Sequence, residues 1–178
     1  METTSFVSIY NKFLSKITDD MYLELTELDT YRLLNELLMS AINKFEFPRV
    51  PLQDNFTCEE IYDEVTYCGE DSDYKEVKAL VYRDGCFHCK LSDEEQNILA
   101  TYMVVEWFGQ QLASIDLARI HYTGKDFSMS SQANHMNKLL ALKSDYDREG
   151  FHLQRLYCRR AKDENGLYKP TIGMIMEV

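Results

Sequence analysis

Residues 92–160 read SDEEQNILATYMVVEWFGQQLASIDLARIHYTGKDFSMSSQANHMNKLLALKSDYDREGFHLQRLYCRR, and this stretch decides the fold. Ser92 and Glu95 form the S-x-x-E pattern of a capping box, which satisfies orphan backbone donors at a helix start. Apolar residues follow at helical spacing through Ile98, Tyr102, Val105, Leu112 and Ile115. Gly124 comes just after Tyr122 and Thr123, where a helix C-terminus favours a residue that tolerates positive φ. Ser130 and Ser131 are N-cap residue types for a second helix. That helix carries Leu139, Leu142, Tyr146, Leu153 and Leu156, and Gly150 inside it is expected to bend or interrupt it. The first helix, Ser92 to about Tyr122, would span about 45 Å at 1.5 Å per residue. The break over Gly124–Met129 predicts that the two fold into an antiparallel pair.

The first of these helices is apolar on more than one side, because Val104, Trp107 and Phe108 lie off its main stripe. Such a helix is either central in its own chain or covered by a neighbour. Trp107 and Phe108 are therefore candidate intersubunit residues.

Upstream, Phe6, Ile9, Tyr10, Phe13 and Ile17 share a helical face and predict a short helix from Ser5 to Ile17. Thr26 and Asp29 resemble a capping box with Asp in place of Glu, ahead of a stripe of Leu34, Leu37, Leu38, Ala41 and Phe45. Pro48 and Pro51 force extended backbone after it. Glu60 to Tyr67 reads equally as strand or short helix. Lys78–Tyr82 and Cys86–Leu91 flank Arg83-Asp84-Gly85, and Asp-Gly between two apolar-rich runs predicts a hairpin over about 78–91. The fold class that follows is mainly α: a helical bundle with two long antiparallel helices, one small β-hairpin and an extended C-terminal arm. Residues 1–160 form a single domain and 161–178 the arm.

The arm begins with a turn, Asp163-Glu164-Asn165-Gly166, and continues as LYKPTIGMIM over 167–176. Pro170 and Gly173 argue against helix there. A frayed terminus is one reading. The other is a segment that orders against a partner, with Leu167, Tyr168, Ile172, Met174 and Ile175 as apolar anchors. Arg159, Arg160, Lys162 and Lys169 would then steer it toward an acidic surface.

The 178 residues carry a formal net charge of −11, unevenly spread. Residues 1–100 hold 21 of the 30 acids but 9 of the 19 bases, with the acid concentrated between Asp54 and Glu76. A phosphate-gripping face needs the opposite sign, so sequence-specific DNA binding is not expected. No run of about 18 apolar residues predicts a membrane span. The polar N-terminus lacks a secretory pattern, so a cytosolic origin with free thiols is expected for the five cysteines.

Chemistry is sparsely signalled. Cys86-Phe87-His88-Cys89 supplies metal-ligand residue types at C-x-x-C spacing, but Cys58, Cys68 and Cys158 give no second pair, so this is half a zinc motif. His88, His121, His135 and His152 form no HExxH, and none of the seven glycines builds a phosphate loop. No nucleophile–base pair is visible, so no enzyme activity, catalytic residue or cofactor is expected.

The segments Ile98-Leu99-Ala100, Val105-Glu106-Trp107, Gln110–Ile115, Tyr122–Ser128, Ser131–His135 and Lys138-Leu139-Leu140 resemble structural proteins of tailed bacteriophages. So do Phe13–Asp19 and Leu37–Ile42. The arrangement is similar to that of small head–tail connector (adaptor, or neck) proteins. That resemblance implies a mostly helical subunit of a ring, twelve-fold in such proteins, beneath the portal. It implies a virion protein assembled in the host cytoplasm, whose partners are its own copies, the portal protein and a tail or second neck protein. DNA would pass through the channel without sequence-specific binding, and a C-terminal arm would grip the portal. Other head-closure or tail-completion roles are alternatives. From another class, so is a small zinc-binding cytosolic regulator built on Cys86 and Cys89.

Overall fold

The structure is a computed structural model, and it describes residues 3–17, 25–53, 55–66, 76–121 and 129–160. Among these the chain is mainly helical, with four helices and a three-stranded antiparallel sheet. The elements in order are β1 (Thr4–Ser5), α1 (Phe6–Leu14), α2 (Glu27–Lys44), β2 (Phe56–Thr66), β3 (Glu76–Phe87), α3 (Asp93–His121) and α4 (Met129–Arg159).

The helix starts form as local sequence dictates. Ser5 Oγ accepts the Val7 N–H at 3.3 Å. Thr26 Oγ1 accepts the Asp29 N–H at 3.2 Å and donates to Asp29 Oδ2 at 2.6 Å. At α3 the capping box is complete: Ser92 Oγ accepts the Glu95 N–H at 3.3 Å, and Glu95 Oε2 accepts the Ser92 N–H at 2.7 Å. Helix α1 stops at Leu14, so Ile17 lies past its end and packs partly against the core. Helix α4 starts at Met129, which puts Ser130 and Ser131 inside its first turn rather than ahead of it.

The hairpin is not the expected one. Asp84-Gly85 is no turn; both residues lie inside β3, which pairs antiparallel with β2 from Phe56↔Phe87 to Thr66↔Glu76. The connection between the strands falls at 67–75, outside the described residues. Glu60 to Thr66 is strand. Gly85 serves packing: a Cβ there would lie 2.2 Å from Phe6 Cδ2, so only glycine lets the Phe6 ring press on the strand. A register shift between Cys58 and Glu60 sits beside it. Strand β1 adds on the other edge of β3 with Thr4↔Phe87 and Ser5↔Cys86.

Phe6 joins sheet to helices, with its ring 4.8 Å from Phe87, 5.8 Å from Phe56 and 6.3 Å from Tyr10. The core continues through Leu37, Leu38 and Ala41 of α2 and Ile98, Leu99, Met103, Val104 and Val105 of α3. Helix α3 packs against α1, α2 and α4, so it is the central element. Along α4 the packed residues are Leu139, Tyr146, Gly150, Leu153 and Tyr157, spaced 7, 4, 3 and 4, the repeat of a helix–helix seam. Leu142, expected in this stripe, is 44% exposed. Gly150 does not interrupt α4. It admits the Tyr102 ring, whose Cε1 would sit 2.8 Å from a Cβ there.

Candidate functional site

Two arrangements stand out where α2, α3 and α4 meet: a buried polar seam and an open groove beside it. The seam begins at the capping box. Glu95, 5% exposed, turns Oε2 to the α3 start and Oε1 to the Tyr157 hydroxyl, which donates to it. That hydroxyl also accepts the Arg49 N–H at 2.9 Å. The Arg49 guanidinium lies 4.0 Å from the Tyr157 ring centroid. Its Nη2 donates to the Tyr157 carbonyl at 2.7 Å and to that of Arg160. Arg160 Nη1 in turn reaches Glu94 Oε1 at 3.1 Å. Burial raises the Tyr157 pKa far above its usual 10.0; the Glu95 hydrogen bond and charge push the same way, and Arg49 opposes them.

One turn earlier, Gln154 does the same work for the end of α2. Its Oε1 accepts the Glu46 N–H at 3.0 Å, and its Nε2 donates to the Lys44 carbonyl at 3.0 Å and to the Tyr102 hydroxyl. The loop 45–51, which the two prolines prevent from continuing as helix, thus finds its backbone partners on α4. Burial raises the Tyr102 pKa, with Gln154 opposing and Asp147 and Glu46 adding to the rise.

The groove opens outward from Tyr102. It encloses about 620 Å³ between the end of α2 and the middle of α4, lined by Lys44, Glu46, Tyr102, Ser144, Asp147 and Phe151 among others. Lys44 Nζ pairs with Glu106 at 2.7 Å and lies 4.0 Å from Asp147. Phe151, at the rim, is 55% exposed.

The expected site residues fall in three places. Trp107 and Phe108 are 8% and 6% exposed and belong to the chain's own core; their rings lie 4.8 Å apart, with Tyr146 of α4 5.7 Å from Phe108. The ground for putting them at a subunit contact was incomplete cover, and the chain itself covers them. Arg159 is exposed at the last residue of α4, whereas Arg160 is engaged by Glu94 and is not a free steering charge. Lys162, Leu167, Tyr168, Lys169, Ile172, Met174 and Ile175 lie outside the described residues.

Around the half zinc motif, Cys86 sits in β3 with its Sγ 3.6 Å from Thr57 Oγ1, while His88 is exposed in the bend that follows. Burial, then the charge of Glu95, raise the pKa of Cys89. Among the described residues no group of three or more His, Cys, Asp or Glu side chains gathers to hold a metal. None of the helices is long and apolar enough to cross a membrane, judged over the same residues.

Sequence reasoning missed the seam. Its one available signal was Gln154, a polar residue on the face of α4 that also carries Gly150, Leu153 and Tyr157. No family model, curated protein or solved structure matches the chain.

Proposed function

We propose that this chain is a virion structural protein, a subunit of a ring-shaped head–tail connector beneath the portal of a tailed phage. It catalyses no reaction and uses no cofactor. It works as a helical bundle that contacts its own copies, extends the DNA channel, and attaches to the portal through the arm at 161–178. The reading rests first on the sequence resemblance. The structural observation that carries it is the way α4 ends. Tyr157 and Arg160 are held by Glu95, Arg49 and Glu94, so the end of α4 is tied to the core as far as Arg160. A docking arm needs such a root, because a loosely held root would add its own disorder to the entropy already lost on docking.

The acidic balance suits a channel through which DNA slides, since basic groups would hold phosphates in place. With Trp107 and Phe108 inside the core, the subunit contacts fall instead to the outward side of α4, where Leu142 is exposed. The experiment is truncation after Ala161. The shortened chain should keep the helical spectrum of the full chain and fail to join a portal ring. Attachment at full occupancy without the arm would remove the arm from the account.

A further inference from the structure

We propose that the outer edge of β2, over residues 60–66, is a strand-addition site for an extended segment of another protein in which basic and apolar residues alternate. The proposal goes beyond the connector reading and does not depend on it. Three observations point to the site and to its occupant.

The first is an open edge. β2 is an outermost strand in the sheet order β1-β3-β2. β3 packs on α1 and α2 and is flanked by β1, whereas among the described elements β3 alone is an extensive neighbour of β2. In an antiparallel ladder every second residue of an edge strand turns its N–H and C=O away from its partner strand. β2 therefore presents a row of backbone groups that no described strand pairs. The register shift between Cys58 and Glu60 distorts the edge at its root. From Glu60↔Tyr82 to Thr66↔Glu76 the pairing runs without a break, which leaves about 23 Å of regular edge.

The second is charge. β2 carries Glu59, Glu60, Asp63 and Glu64 and no base. A second copy pairing β2 edge to β2 edge would set these acids against the same acids, and like charges opposite one another destabilise a ladder. The net charge of −11 adds to that repulsion between copies. The same acids repel nucleic-acid phosphates. A basic strand from another protein meets a complementary edge.

The third is alternation. Antiparallel partners share a face, and successive residues alternate between faces. The register places Ile61 and Val65 of β2 on one face with Val77, Ala79 and Val81 of β3, Asp63 being the exception, and puts Glu60 and Glu64 on the other. An added strand that alternates in step sets basic residues beside Glu60 and Glu64 and apolar ones beside Ile61 and Val65. Past the two residues that β1 pairs, the described sheet is a two-stranded ribbon. A third strand widens its apolar face, and a ribbon of two strands is marginal in water without such cover.

Hydrogen exchange by mass spectrometry on the full chain tests this, with a synthetic peptide alternating lysine and valine as the probe. On its addition, amides in 60–66 should exchange about ten-fold more slowly while those of α3 are unchanged. The same peptide N-methylated at every residue keeps its charge and loses its main-chain donors, so it should give no protection. A peptide alternating glutamate and valine should give none either. Glu60→Gln with Glu64→Gln should weaken the protection by the lysine peptide several-fold, with exchange in 76–87 showing that the ribbon still forms. No slowing with the lysine peptide overturns the proposal. So does equal protection from the N-methylated peptide, which reports charge attraction alone, or protection indifferent to the two glutamines. Amides in 60–66 already slow in the dilute free chain would put the chain's own residues on the edge. Slowing that rises with protein concentration alone would put a second copy there, and either result overturns the proposal as well. Attachment to a portal ring is scored separately. Peptide pairing in a chain that never attaches sinks the connector reading and leaves the edge site intact; attachment without pairing does the reverse.

Discussion

The two ends of the α3–α4 pair are built to different rules. Near the α3 start, the described helices converge. Ile98, Leu99, Met103 and Val104 are fully buried, Tyr157 bonds Glu95, and Tyr157 and Gln154 satisfy backbone N–H groups of the stretch 45–51. Past Leu112 the contrast begins. Ala113 and Ser114 are exposed, as are most residues of α4 from Asn134 to Glu149, where Met136, Leu139, Lys143 and Tyr146 are the half-buried exceptions. The inner end therefore holds the fold together, and the outer end offers surface. One helix pair separates stability from presentation along its length, which is what the proposed connector role would require.

Substitutions can break this contrast. Leu99→Ala, at a fully buried inner position, should cost about 2–5 kcal/mol in equilibrium denaturant unfolding, the range for deleting a leucine from a packed core. A cost under about 1 kcal/mol would mean the inner end is looser than its burial implies.

Tyr157→Phe tests the polar seam. It leaves Glu95 Oε1 and the Arg49 N–H without their partner, for about 1–3 kcal/mol. The seam also fixes a pH dependence. Burial raises the folded-state pKa values of Tyr157 and Tyr102 above the usual 10.0, so the folded chain holds these protons more tightly than the unfolded one. The stability they contribute is whole below pH 10 and is lost as the pH climbs past it. Thermal unfolding of Tyr157→Phe should accordingly fall less steeply above pH 10 than that of the parent chain. Equal slopes would place the alkaline sensitivity elsewhere.

Leu142→Ala, on the outer end, is the smallest expected effect on the isolated chain, within about 0.5 kcal/mol. Its consequence should appear in assembly. A large loss of monomer stability would show that Leu142 packs within the chain, against its 44% exposure.

What was legible in the sequence follows the range of the forces involved. The capping boxes at Thr26 and Ser92 involve groups three residues apart, so the residues on either side suffice to predict them. Gly85 was misread because Asp-Gly has turn chemistry locally, whereas the reason for glycine there is the Phe6 ring, brought from the other end of the chain. Trp107 and Phe108 looked unsatisfied because a single apolar stripe assumes one neighbour, and α3 has three. The choice of α4 face failed at Leu142 for a similar reason. Leucine spacing alone could not weigh Gly150 and Tyr157, whose value lies in what Tyr102 and Glu95 offer them. The polar seam was the least legible part, since each member is an ordinary residue until α3 and α4 lie side by side.

The central claim is that this chain assembles into a closed ring. Native mass spectrometry of the full chain, alone and with a portal ring, tests it most directly. The account predicts one dominant closed species, twelve chains of 20.9 kDa by the resemblance, formed or stabilised on the portal and lost in Leu142→Glu. A chain that stays monomeric at every concentration and adds no mass to the portal would contradict it.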